Sequence, residues 1–547
     1  MRKILFLLLI TNYSLLIVHA QVTQEWVSRY NGPPGNSSDD GNVLAIDGAG
    51  NVYVTGHSVG STSFGDYATV KYNSAGVQQW AARYNGPGNY FERPYAIAVD
   101  GSGNVYVTGR STGIGTGYDY ATIKYNSSGD SVWVRRYNGP GNDNDEARSI
   151  TVDGSGNVYV TGWSPAGNGL DDYATIKYNS SGDSVWVRRY NGPASSSDEA
   201  YSIAVDGSGN VYVTGRSIGS GYDYVTIKYN SSGVQQWVAR YNGLGNGYDV
   251  ALSLAVDGPG NVYVTGGSYG SGTNYDYATI KYNSSGVQQW VQRYNGPGNG
   301  DDAAYSIAVD GSGNVYVTGG SYGSGTSYDY ATIKYNISGV QQWVQIYNGP
   351  GNSLDDAYSL GLDGSGNVYV TGQSMGSGTD RDYATIKYNS VGVQQWVERY
   401  NGPGNGGDVA RSIALDVSGN VYVTGESAGS GTGLDFATIK YSQQVGIQPI
   451  SNEIPERFSL SQNYPNPFNP STVISFQLAV NSFASLKVYD LLGREVSTLV
   501  NEKLNSGIYE VDFDGSDFAS GVYYYTLTAD PETSSGFRET KKMVLLK

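Results

Sequence analysis

Short runs in which Val, Ile, Tyr and Thr alternate with polar residues fill most of the chain, and Gly, Ser, Asn and Pro separate them. Period-two runs of four to eight residues bounded by turn formers read as half-buried β-strands, and these residue types suit a pleated surface. No window places apolar residues at helical spacing, so helices are not expected. The runs recur as one unit. In Ala303–Tyr347 the unit reads SIAVD, the turn DGSG, NVYVTG, DYATIKYN and VQQWVQIY, four short strands in succession. NVYVTG begins at Asn51, Asn104, Asn157, Asn210, Asn261, Asn314, Asn367 and Asn420, eight copies about 53 residues apart.

A repeat of this length means a solenoid, a propeller or an array, and four strands per unit match a propeller blade. The phase of the repeat decides between them. The chain offers an isolated strand of the fourth type, QEWVSRYNG around Trp26, ahead of the first complete unit. Further tryptophans of that type stand at Trp80, Trp133, Trp186, Trp237, Trp290, Trp343 and Trp396, and none follows DFATIKY, which ends at Tyr441. An open solenoid needs no such offset and wants polar caps. A closed ring uses it, because the early strand completes the last unit and removes its exposed edge. The expectation is an all-β chain: an eight-bladed β-propeller over residues 21–441, closed by its N-terminal strand.

The flanks differ. Residues 1–20 read as a cleavable leader, with Arg2 and Lys3 ahead of the apolar ILFLLLI and small residues at Val18 and Ala20. No other segment is apolar enough to span a membrane as a helix. Residues 442–457 read as a linker. Residues 458–547 carry a different strand set, VISFQL, SLKVYD, REVSTLV, IYEVDFD, VYYYTLT and KKMVLLK, as expected of a small Ig-like β-sandwich. Composition adds two exclusions. The chain has no cysteine, which removes thiol chemistry and thiolate metal sites. Its formal charge of -16 argues against a nucleic-acid partner.

Three recurring features bear on chemistry. The turn DGSGN resembles the start of a calcium loop, but Ala49 and Pro259 occupy a ligand position in two copies, and the glycine in its fourth place suits a tight hairpin. An acidic residue stands eight positions before the aspartate that ends each first strand: Asp39, Glu92, Asp145, Asp198, Asp249, Asp302, Asp355 and Asp408. In a propeller these fall in loops near a channel mouth. There they either fix the loop by accepting backbone N–H bonds or share a cation, and a fourth-strand arginine such as Arg136 or Arg293 could pair with them. The position after NVYVTG varies: His57, Arg110, Trp163, Arg216, Gly267, Gly320, Gln373 and Glu426. Read as loop residues, His57, Arg110, Trp163, Arg216, Gln373 and Glu426 are candidate ligand contacts, or else drifting solvent-facing positions.

No catalytic constellation stands out. His19 belongs to the leader, so His57 is the one histidine left, and no carboxylate pair is marked off from its copies. A binding or scaffold module without enzymatic activity or a required cofactor is expected. The alternative is a carbohydrate-active enzyme that uses carboxylates and tyrosines near the channel mouth.

Two resemblances follow. AVDGSGNVYVTG and DYATIKYN resemble the SBBP-type β-propeller repeat of secreted bacterial proteins, across residues 21–441. That resemblance implies the fold and no particular activity. Residues 458–547 resemble the type IX secretion C-terminal sorting domain, on Pro465, Asn466, Pro467 and Asn469, then Val488, Tyr489, Asp490 and Gly493, then Ser520, Gly521, Val522 and Tyr523, with a basic-apolar end from Lys541. This implies handling by the type IX machinery and translocation across a Gram-negative outer membrane. It also implies removal of the domain, with the protein released or held on surface lipopolysaccharide. The surface ligand, glycan or protein, stays open.

Overall fold

The computed structural model describes residues 22–33, 37–60, 64–219, 221–443, 448–451, 455–515, 518–531 and 536–546. The expected leader lies outside them. The described residues form strands and turns with no helix. Two compact units divide the chain: Thr23–Ser442, which holds the repeats, and a C-terminal unit from Gln443 onward.

Within the first unit the described strands make eight four-stranded antiparallel sheets. In repeat 1 the strands are Asp39–Ile46, Val52–Ser58, Asp66–Tyr72 and Gln78–Tyr84, paired in sequence order. Repeats 2 to 7 follow the same plan. Repeat 8 contributes Asp408–Leu415, Val421–Ala428 and Leu434–Gln443, and its fourth strand is Val22–Tyr30 from the beginning of the chain.

The second strand is buried along its whole length in repeat 1, although its sequence alternates. The reason is that neighbouring sheets cover both of its faces. Each apolar cluster joins two repeats: Tyr106 and Tyr120 of repeat 2 pack with Ile150, Val158, Val160 and Ile176 of repeat 3. The same pattern joins the last repeat to the first, where Tyr422 and Phe436 pack with Leu44, Val52, Val54 and Val70. Hydrogen bonds repeat the connection, the Tyr67 hydroxyl donating to Ala121 O at 3.3 Å and the Tyr383 hydroxyl to Ala437 O at 3.2 Å.

Every first strand contains a β-bulge opposite its second strand. The skipped residues are Asn42, Tyr95, Arg148, Tyr201, Leu252, Tyr305, Tyr358 and Arg411. A bulge bends its strand and re-aims the extra side chain. It also explains the invariant glycine of NVYVTG. A Cβ on Gly56 would overlap the carbonyl oxygen of Asp40, and one on Gly109 that of Arg93.

In the C-terminal unit, Gln448–Ser451, Gly507–Asp514, Ser471–Leu478 and Ser459–Leu460 form one sheet, and Glu495–Leu504, Ser482–Tyr489, Gly521–Pro531 and Phe537–Leu545 another. They share a core that includes Ile474, Phe476, Leu486, Val488, Tyr525, Leu527 and Met543. Four residues of the segment expected to be a linker, Gln448–Ser451, thus belong to this unit as a strand.

Candidate functional site

The recurring acids lie at one end of the sheets, where first strands begin and second strands end. Seven open their strands and Asp145 immediately precedes its own; all eight have 0% exposure. Each aspartate accepts a hydrogen bond from the backbone N–H of a glycine in the preceding connection, such as Gly139 N to Asp145 at 2.8 Å and Gly402 N to Asp408 at 2.7 Å. Of the two roles expected of these acids, loop fixing or cation sharing, the bonds from the glycine amides correspond to loop fixing. The connection folds back so tightly that the carboxylate is enclosed by the amides it fixes. Among the described residues, no three His, Cys, Asp or Glu side chains gather as a metal site needs, so the shared cation has no ligand set there. Glu92, one methylene longer, departs from the pattern. Its oxygens face the Gly86 and Thr112 amides without well-formed hydrogen bonds, and burial, helped by the charge of Asp66, pushes its carboxyl up to about 7.

The fourth-strand arginines pair with a different carboxylate, one that the sequence reading missed. Arg136 meets Asp119 at 2.7 Å and Arg293 meets Asp276 at 2.8 Å, both acids near the start of third strands. Arg136 also reaches Ser111 Oγ at 2.6 Å and the Tyr84 hydroxyl of the preceding repeat at 3.0 Å. Arg29 of the N-terminal strand supplies this clasp to repeat 8, with Asp435 at 2.9 Å, Ser427 Oγ at 2.7 Å and the Tyr400 hydroxyl at 2.9 Å. Repeat 6 has Ile346 where the arginine would be, and Asp329 keeps a hydrogen bond from Thr326 at 2.9 Å.

The variable position sits inside the second strand, not in a loop, because the bulge extends the pairing past the glycine. His57 pairs with Asp40, Arg110 with Arg93, Trp163 with Glu146 and Arg216 with Glu199 in register. Each has a partner within the protein. His57 is buried, its ring 4.7 Å from that of Phe91 and its Nδ1 3.1 Å from Glu92 O. Arg110 meets Glu146 of repeat 3 at 2.7 Å and lies over the Tyr118 ring at 4.6 Å. Arg216 meets Glu199 at 2.6 Å and lies over Tyr222 at 4.4 Å. Trp163 packs edge-on against Tyr201 at 5.7 Å. Gln373 donates to Asp356 at 3.0 Å and to the Tyr358 hydroxyl at 2.7 Å, and Glu426 pairs with Arg411 at 2.9 Å.

The bulge residues complete this layer. Arg148 lies 4.2 Å from the Tyr95 ring centre and 4.4 Å from that of Trp163, and it pairs with Glu146. Tyr305 and Tyr358 are 5.7 Å apart, and Arg411 lies 5.0 Å from Tyr358. The result is a set of aromatic rings, guanidinium groups and carboxylates contributed by successive repeats. Its signal in the sequence is the position five before the turn aspartate that follows the first strand, which changes from Tyr95 to Arg148 to Tyr201. At the other end of the sheets, a groove of about 500 Å³ lies between the turns of repeats 3 and 4. Its acid Asp153 already accepts from Asn157 and from the Tyr159 hydroxyl at 2.9 Å.

Residues 79–115, 132–169, 185–223, 289–325 and 342–378 match the SBBP family, described as a β-propeller repeat. Residues 462–544 match the family described as a secretion system C-terminal sorting domain. This chain carries SBBP β-propeller repeats and a type IX sorting domain. No curated protein matches it. The chain has slight likenesses to solved structures. One is a fungal alcohol oxidase of the AA5 family in complex with copper, at 12% identity over 96% of this chain and 99% of that one, TM-score 0.39. Another is a periplasmic gluconolactonase of Pseudomonas aeruginosa, at 12% identity over 75% and 98%, TM-score 0.38. A third is the β-propeller domain of a protease of Pyrococcus furiosus, at 10% identity over 63% and 95%, TM-score 0.35. Likenesses of this size carry no argument about activity.

The sorting domain implies secretion, attachment at the cell surface and handling by the type IX machinery. Among the described residues no helix is long and apolar enough to cross a membrane. The residues of its motif are built into the fold. Pro465 O accepts from Thr472 Oγ1 at 2.8 Å, and Asn466 Oδ1 accepts from Val544 N at 3.0 Å. Pro467 and Asn469 flank the buried Phe468. Asp490 follows Tyr489 and closes the turn at Gly493, accepting from Leu492 N and Arg494 N. Gly521 opens the strand in which the Tyr523 hydroxyl donates to Ala519 O at 2.9 Å, and Lys541 pairs with Glu539.

Proposed function

We propose that this chain is a cell-surface binding module. In this reading residues 21–441 are an eight-bladed propeller closed by the N-terminal strand. The sorting domain is an Ig-like sandwich at 458–547 joined by the strand Gln448–Ser451 ahead of it, and a leader at 1–20 starts export. The observation that carries it is the layer of Tyr95, Arg148, Trp163, Tyr201, Tyr305, Tyr358 and Arg411, which differs from repeat to repeat on an otherwise uniform scaffold. Aromatic rings and guanidinium groups are the side chains that dominate recognition surfaces. The closed ring is supported by packing of the last repeat on the first.

The module acts by binding rather than by chemistry. A glycosidase needs two carboxyl groups facing open space about 5–9.5 Å apart. Of the three acids with the most raised affinity for protons, Glu92 and Asp145 are enclosed, and the strongest acidic influence on the partly exposed Asp171 is Glu199, which Arg216 already holds. The test applies the full chain to arrays of glycans and of surface proteins, beside a variant with Tyr95, Arg148 and Tyr201 changed to alanine. A captured ligand that the variant loses is expected. Equal capture by both chains, or turnover of an arrayed glycan, would sink the reading.

A further inference from the structure

The repeats are copies, so each shows what the others could hold. In repeat 2 three groups meet: the Arg110 guanidinium, the Tyr118 ring beneath it at 4.6 Å, and the Glu146 carboxylate of the next repeat at 2.7 Å. Repeat 6 keeps the ring and the acid. Tyr328 occupies the place of Tyr118 and Asp356 the place of Glu146, but Gly320 stands where Arg110 would be. A Cβ built on Gly320 would overlap Asp356 Oδ1 and lie 3.4 Å from the Tyr328 ring, so the carboxylate leans over the glycine into the place where an arginine side chain would start.

Other rings and acids gather there. The Tyr322 ring stands edge-on to Tyr328 at 5.6 Å, and Tyr305 packs 5.7 Å from Tyr358. Gln373 and Tyr358 donate to Asp356 Oδ2, which leaves Oδ1 toward Gly320. Asp301 is exposed, and together with Asp356 it raises the proton affinity of the Tyr328 phenol beyond what burial does. Repeat 5 also has a glycine, Gly267, but Ala303 replaces its acid, so the arrangement is particular to repeats 6 and 7.

We infer that the seam of repeats 6 and 7 is a receptor for a guanidinium group carried by a ligand, which lies over Tyr328 and pairs with Asp356 as Arg110 does over Tyr118 with Glu146. An aromatic face and a carboxylate are together the two features that hold a guanidinium. The net charge of -16 favours the approach of a cation. The inference deepens the binding-module reading by naming one chemical group and one place for it.

Saturation-transfer NMR on the full chain tests it, with L-arginine amide and a blocked Gly-Arg-Gly peptide as probes and the corresponding lysine compounds beside them. Transfer to the arginine side chain is expected, at affinities of about 1 mM for a single group. Asp356→Asn should abolish it, and Gly320→Arg, whose first carbon must push the Asp356 carboxylate aside, should occupy the site from within and also abolish it; a melting curve on each variant shows that it is folded. Adding Arg110→Gly to Asp356→Asn opens the equivalent place in repeat 2 and should restore transfer. Transfer to the free amide but not the peptide would place the site too deep for a protein partner and still support a guanidinium receptor. No transfer to either probe, or transfer that survives Asp356→Asn, overturns the inference. Ligand capture on the arrays would stand apart from either result, so this proposal and the module reading fail separately.

Discussion

At the scale of single residues, two departures from the repeat are the most informative. Glu92 is a buried carboxylate whose neighbouring amides, of Gly86 and Thr112, do not offset its burial, and its carboxyl is raised to about 7. A raised carboxyl favours the protonated folded state. Its contribution is therefore intact below the unfolded value of about 4.5 and is lost as pH climbs through about 7. Glu92→Gln should match the parent near pH 4.5 and exceed it at pH 8 by up to about 3 kcal/mol, read from urea midpoints at the two pH values. A constant difference across that window would mean that the carboxyl titrates normally. Ile346, 41% exposed, replaces an arginine that elsewhere bonds an aspartate, a serine and a tyrosine at once. Ile346→Arg should engage Asp329 and Ser321 and stabilise the chain by about 1 kcal/mol, the usual worth of a partly exposed pair. A lower midpoint would show that the neighbouring chain has adapted to isoleucine. Residue-level expectations from sequence were least secure at exactly such packing-dependent places. His57 and Gln373 read as loop contacts because a glycine precedes them, yet that glycine answers a bulge on the facing strand, and a bulge leaves no local mark in the sequence that contains its complement.

At the scale of elements, the strands and their pairing were legible. Period-two alternation, the DGSG turns and the missing fourth strand after Tyr441 carry the pattern, and Val22–Tyr30 does pair beside Leu434–Gln443. What was not legible is which groups hold that strand. Arg29 contacts three side chains of repeats 7 and 8, and Trp26 packs between Tyr72 and Tyr422 at 6.3 and 6.2 Å, with its Nε1 donating to Ser74 O. Spacing along one chain does not reveal partners some 400 residues apart. Arg29→Ala leaves Asp435, itself 4% exposed, without its cation and should cost about 2 kcal/mol. Removing residues 22–30 should lower the melting temperature further and promote aggregation through the bared edge of Leu434–Gln443. A deletion that melts like the parent would show that the strand is an ornament on an already stable unit.

At the scale of the whole molecule, two units with separate cores meet different demands. Their boundary was visible as a change of strand grammar, although the strand at Gln448–Ser451 was not, because four residues ahead of a proline-rich entry are too few to show a period. A chain ending at Ser442 should keep the melting profile of the repeats and fail to reach the surface of a host with type IX machinery. Surface delivery at the parental level would dissociate export from the sorting domain. The union of Arg29 with Asp435 has a consequence in time as well as in space. These residues are 406 apart. The entropy of closing so long a loop grows only as its logarithm, roughly 5 kcal/mol plus a constant, and because it must be met before the contacts reward it, it also slows folding. At about 5–20 residues per second, the first strand waits on the order of half a minute or longer for its partner to be synthesised. Throughout that interval the repeats made so far form an unsealed stack, and the earliest strand is the last to find its place.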